Sequence, residues 1–184
     1  MTRAACFLLS FAPLVMGQGA RDNALPRVAT PEVLAIEMAK ALVSDDQERI
    51  TALAATREEM ETMLETAWPP AKEGDREYIK TKVAEILSER VADLERFQAM
   101  KKASGVTKGA AVRFELIDLD KIYEKDGMKK IRHSHVRMIQ TGAGGQEEPF
   151  IIKLDDMFLF PRGWAFTSIW PAIGKEPSPN GPRG

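Results

Sequence analysis

The chain has 184 residues, 44% hydrophobic and 29% charged, with a formal net charge of −1. That length fits one ordinary domain, which buries about 70% of the surface its unfolded chain exposes. The balanced charge leaves no footprint for nucleic acid, and a single cysteine, Cys6, excludes an intramolecular disulfide framework.

Residues 1–16 read MTRAACFLLSFAPLVM. Arg3 supplies a positive start, and Ala4 to Met16 form an apolar run too short for a bilayer, which takes roughly 20 apolar residues. Gly17, Gly19 and Ala20 are the small residues that follow, so cleavage falls after Gly17 or Gly19. The pattern predicts a signal peptide over residues 1–20 and a secreted or periplasmic mature chain. Cys6 precedes most of the apolar run, which is not where a lipoprotein signal holds its cysteine. Removing the signal removes the only thiol, and with it any Cys-based metal site or thiol nucleophile. A secreted domain without disulfides is held by its core, which suits a periplasm. No later segment is apolar enough to span a membrane.

Residues 21–29 read as a short polar, disordered leader. Thr30-Pro31-Glu32 then starts a helix, with a capping hydroxyl, a proline for the first turn and an acid at the positive end of the dipole. Leu34, Met38 and Leu42 carry its apolar stripe to about Val43. Ser44 with Gln47 reads as a capping box for a short second helix carrying Ile50 and Leu53. Thr56 with Glu59 reads as another, opening a helix with Met60, Met63, Leu64 and Ala67. Trp68-Pro69-Pro70 ends it. Asp75 is the expected cap of a long helix to about Ala103, with Ile79, Val83, Ile86, Leu87, Leu94 and Phe97 at helical period. Ser104-Gly105 stops it.

Beyond Gly105 the period changes to two. Val112, Phe114 and Leu116 alternate with Arg113 and Glu115. Asp126-Gly127 marks a hairpin, Ile131 to Gln140 the returning strand, and Thr141 to Gln146 a second turn. Phe150 to Phe160 is a third strand in which Asp155-Asp156 marks a bulge or bend. After the Pro161-Arg162-Gly163 turn, Trp164, Phe166, Ser168 and Trp170 alternate along a last strand closed by Pro171. Residues 174–184 read as a disordered tail. One α+β domain over residues 30–173 follows: N-terminal helices on a curved antiparallel sheet of about four strands. The long helix is expected across the concave side. Charge follows the same division. Residues 31–100 hold 16 acidic and 9 basic side chains, whereas 101–140 hold 10 basic and 5 acidic. Such an asymmetry marks either a partner surface or two solvated faces.

This order of elements resembles the nuclear-transport-factor-2-like, or cystatin-like cone, superfamily. The segment ALVSDDQERITALA (41–54) is similar to the family's junction between first and second helices. PRGWAFTSI (161–169) is similar to its terminal hairpin, where a glycine turn precedes a Trp. Two features depart from the family. The long helix from about residue 75 is extended, and no short strand is legible between the helices. The resemblance implies a cone-shaped cavity that is empty, ligand-binding or catalytic, and dimerisation through the sheet. It carries over no catalytic residue, and fold alone does not fix function.

Several side chains could carry chemistry. His133, His135 and Arg137 share a strand face and are candidates for ligand binding, as is Trp164 on the last strand. As metal ligands the histidines need a third partner, and the basic tract Lys129, Lys130, Arg132 and Arg137 opposes a cation, so neither a metal nor a cofactor is expected. Asp118 and Asp120 are expected to continue the Val112, Phe114, Leu116 side, where a desolvated carboxylate can act as a general base. With Tyr123 they are the catalytic candidates. No nucleophile elbow, P-loop or dinucleotide fingerprint is present. The leading reading is a secreted or periplasmic non-enzymatic domain that binds a small apolar or amphipathic ligand, or a partner protein. The alternatives are a small acid/base enzyme of isomerase, dehydratase or hydrolase type using a cavity carboxylate, and an interaction module that forms a homodimer.

Overall fold

Residues 28–106, 111–125, 127–142, 145–169 and 171–175 are described by the computed structural model of the chain. Residues 1–27, 107–110, 126, 143–144, 170 and 176–184 lie outside them, and with them the expected signal peptide, most of the expected leader and most of the expected tail.

Four helices come first: α1 (Pro31–Ser44), α2 (Gln47–Leu53), α3 (Arg57–Ala67) and α4 (Glu73–Ala103). Thr30 caps α1, its hydroxyl accepting from the Val33 N–H at 3.4 Å. The cap of α2 is not Ser44. Asp45 adopts a left-handed backbone (φ 57°) that closes α1, so Ser44 stays in α1 and its hydroxyl donates to the Lys40 carbonyl at 2.9 Å. Asp46 is then the first residue free to cap, and its carboxylate accepts from the Arg49 N–H at 2.9 Å. The Thr56–Glu59 box is present at α3, with Thr56 N–H to Glu59 Oε2 at 2.9 Å and Glu59 N–H to Thr56 Oγ1 at 3.2 Å. α4 begins two residues before Asp75. That carboxylate reaches back from inside the first turn to the N–H groups of Ala71 (3.0 Å) and Lys72 (3.2 Å).

The strands are β1 (Val112–Leu119), β2 (Tyr123–Lys125), β3 (Met128–Thr141), β4 (Glu147–Phe160), β5 (Gly163–Phe166) and β6 (Ala172–Lys175). They form one antiparallel sheet in the order β1-β3-β4-β5, with β2 added to β3 and β6 to β4. The class is α+β, with the helices N-terminal to a curled half-barrel sheet. β2 and β6 are the two strands the pattern did not announce. The last expected strand stops at Phe166, and β6 follows Pro171 as a separate strand to Lys175. The linker between α2 and α3 also touches the sheet, through an isolated bridge of Ala54 to Phe166.

α1, not the long helix, lies against the inner face of the sheet. Its Leu34, Met38 and Leu42 are fully buried with Val136, Met138, Ile152 and Leu154. Ala35, Ala39 and Ala41 let its backbone approach closely. α4 carries too many charges around its length to sink into that concavity. It runs against α3 and β6 and sends Phe97 into the main core and Val83 into a second cluster.

β4 bends where the sequence carries Asp155-Asp156. Asp156 is left-handed (φ 52°), and its carbonyl accepts from Thr167 N–H (3.1 Å) and Thr167 Oγ1 (3.2 Å). Before the bend β4 pairs with β6, and after it with β5. After the bend both faces are apolar. Met157, Trp164 and Phe166 join the main core, while Phe158, Phe160 and Ala165 join the cluster with Met60 and Val83. That is why the segment Met157 to Phe160 reads as an unbroken apolar run.

Candidate functional site

The outer face of β1, β3 and β4 collects most of the candidates. Paired residues in an antiparallel ladder share a face. β3 therefore presents Ser134, Val136 and Met138 inward and His133, His135 and Arg137 outward. Asp118 and Asp120 do not continue the apolar side of β1. Leu116 faces Val136, but Asp118 faces His135, because one extra residue bulges between Leu116 and Asp118. A bulge reverses the alternation beyond it. Asp118 thus stands on the outer face with its side chain 68% exposed, 3.9 Å from His135 Nδ1. The Asp120 N–H donates to the His133 carbonyl at 3.0 Å. Neither aspartate is a cavity carboxylate.

Cross-strand acids stand beside His133 and Arg137. His133 Nδ1 lies 2.7 Å from Asp155 Oδ1. Arg137 Nη1 is 3.3 Å from Glu115, which also accepts from Arg113 at 2.6 Å. The basic neighbours named from the sequence are thus joined by acids that β1 and β4 bring beside the histidines. The hydrogen bond to Asp155 holds the His133 imidazole above its ordinary pKa, and the charges of Asp155, Asp120 and Asp156 add to this. Burial raises the Asp156 carboxyl. With Nδ1 engaged, His133 keeps Nε2 as its exchangeable nitrogen, the arrangement of an oriented acid/base pair. Among the described residues no group of three or more His, Cys, Asp or Glu side chains is placed to hold a metal ion.

The remaining candidates lie apart. Tyr123 is exposed on β2 opposite Lys130. Trp164 is 5% exposed and packs in the main core.

A recess opens elsewhere, between α3 and the tips of the β2–β3 and β4–β5 hairpins. It is a groove of about 710 Å³. Met63, Met128, Phe158 and Phe160 supply apolar lining, and Glu58, Thr62 and Thr66 supply polar lining from α3. Two local features set its shape. Gly127 (φ 73°) and Gly163 (φ 117°) permit the tight hairpin turns that form one end. Glu59 is shared between its own cap and the opposite wall, with Oε1 3.3 Å from Arg162 Nε. Lys130 Nζ stands 5.4 Å from the centre of the Phe158 ring.

Sequence reasoning missed this groove, since its walls are 100 residues apart and no local pattern joins them. It also missed three polar groups in the seam of α4. Arg90 donates to the carbonyls of Ala55 (3.1 Å) and Thr167 (2.7 Å). Asp93 is buried against Arg96 (2.9 Å), with its carboxyl raised above the usual range by burial. Lys101 reaches Asp45 at 2.5 Å and the Val43 carbonyl at 3.2 Å. A signal existed. All three fall at the helical spacing of Val83, Leu87, Leu94 and Phe97, where a charge must find a partner.

No family model, no curated protein and no solved structure matches this chain.

Proposed function

We infer that this protein works by binding rather than by catalysis, and that the groove beside α3 receives a small amphipathic ligand. One observation carries this reading. The concavity of the sheet is filled by the apolar side of α1, whereas the groove is open and lined by both apolar and polar side chains. A ligand with an apolar body and a polar end matches such a lining. The test uses N-phenyl-1-naphthylamine, a neutral dye that fluoresces on entering apolar sites. The wild type is expected to bind it saturably. Thr62→Trp, which fills the groove from an exposed helix position, is expected to weaken binding at least tenfold without changing the thermal melt. Dye binding that is absent, or unchanged in the variant, overturns the reading.

A second reading, acid/base chemistry, is favoured by the 2.7 Å pair of His133 and Asp155. An isomerase, dehydratase or hydrolase activity lost in His133→Ala would establish it instead.

Membership of the nuclear-transport-factor-2-like superfamily belongs to the same proposal. It is supported by helices preceding a curled antiparallel sheet and by the bridge that joins Ala54, between α2 and α3, to Phe166 of β5. Export belongs to it too, supported by the apolar run after Arg3. The intact mass of the exported protein is expected to start near Gln18 or Ala20. An exported species retaining Met1 would refute it.

A further inference from the structure

We propose that the outer edge of β1 pairs with the same edge of a second copy of this chain, about a two-fold axis at Phe114. Among the described residues no strand pairs this edge, so its outward backbone groups are available to another strand. Val112, Phe114 and Leu116 point toward the core yet stay only half-buried, as apolar side chains do at an unfinished sheet margin.

The sequence of the strand is complementary to itself in one antiparallel register. With Phe114 facing its own copy, Val112 faces Leu116 and Arg113 faces Glu115 on each side of the axis. Inner-face pairs are then apolar, including an aromatic pair at the centre, and outer-face pairs are oppositely charged, the combinations that stabilise antiparallel ladders. Shifting the register by two residues would set Phe114 against Leu116 and place Glu115 opposite its own copy. The bulge after Leu116 and the exposed charge of Asp118 confine pairing to these five residues. An isologous contact of this kind closes at two copies. Five paired residues are few beside the roughly 800 Å² per partner of a standard interface, so the dimer is a weak one.

Sedimentation equilibrium of the purified protein across the micromolar range tests this. The wild type is expected to show a reversible monomer–dimer equilibrium. Arg113→Glu alone and Glu115→Arg alone each place like charges across the axis and are expected to weaken association at least tenfold. An equimolar mixture of the two variants is expected to associate again, since every facing pair is then opposite in sign. A wild type that stays monomeric, variants that dimerise as before, or a mixture that stays monomeric would each overturn the proposal. Should a variant fail to fold, amide hydrogen exchange of the wild type decides. Protection that rises with concentration at Val112–Leu116 supports the edge pairing, and a rise only elsewhere refutes it.

Discussion

His133 takes its partner from the neighbouring strand, 22 positions along the chain, at Asp155. Because the bond favours the imidazolium, the folded-state pKa lies above the ordinary value of about 6.5. The sign of the linkage follows. The contribution to stability is fully present below the unfolded value and is lost as pH rises through the folded one. Both groups meet solvent, so screening keeps the effect small. In an NMR titration His133 is expected to titrate above its ordinary value, and Asp155→Asn is expected to bring it back down. An unchanged midpoint in the variant would show that the pair does not form. That His133, His135 and Arg137 share a face was legible, since strand alternation is local. Their acidic partners were not, because the β1 bulge and the β3–β4 register decide which acids arrive. The bulge also moved Asp118 and Asp120 off the apolar side to which strict alternation assigned them.

At the scale of elements, the helix and strand boundaries followed punctuation. Pro31, the Thr56–Glu59 box, Pro69-Pro70 and Gly105 each mark an observed start or stop. Ser44 misled because a second cap, Asp46, lay two residues on and the left-handed Asp45 chose between them. β2 and β6 were invisible for a different reason. Three and four residues are too few to display a period, and each exists only because a long neighbour offers it an edge. A polar contact also ties the last turn of α4 to the end of α1. Lys101, buried in the last turn of α4, caps the C-terminal end of α1 through Val43 and Asp45. Lys101→Met keeps the stem and removes the ammonium, and it is expected to cost about 1–3 kcal/mol, the usual range for a buried polar group that loses its partner. Denaturant unfolding measures this. A variant as stable as the wild type would mean that apolar packing alone docks the two helices.

For the whole molecule, the acidic stretch 31–100 falls in the helices, and the basic stretch 101–140 spans the end of α4 and β1 to β3. On the outer face of the sheet, Glu115, Asp118 and Asp155 stand beside Arg137, His135 and His133, so charge is settled pairwise across strands. The cone was legible as an order of elements, but whether it was hollow was not. Only the docking of α1 shows the interior occupied, and only the meeting of α3 with two hairpin tips creates a recess. The binding proposed above takes place in that outer groove, with the interior closed by α1. Methionine methyl NMR separates the two directly, since Met63 and Met128 line the groove, whereas Met38 and Met138 are fully buried in the core. On titration with N-phenyl-1-naphthylamine, the Met63 and Met128 methyls are expected to shift saturably while those of Met38 and Met138 hold still. Shifts centred on Met38 and Met138, with the groove methyls unmoved, would contradict the account and place the binding site inside the sheet.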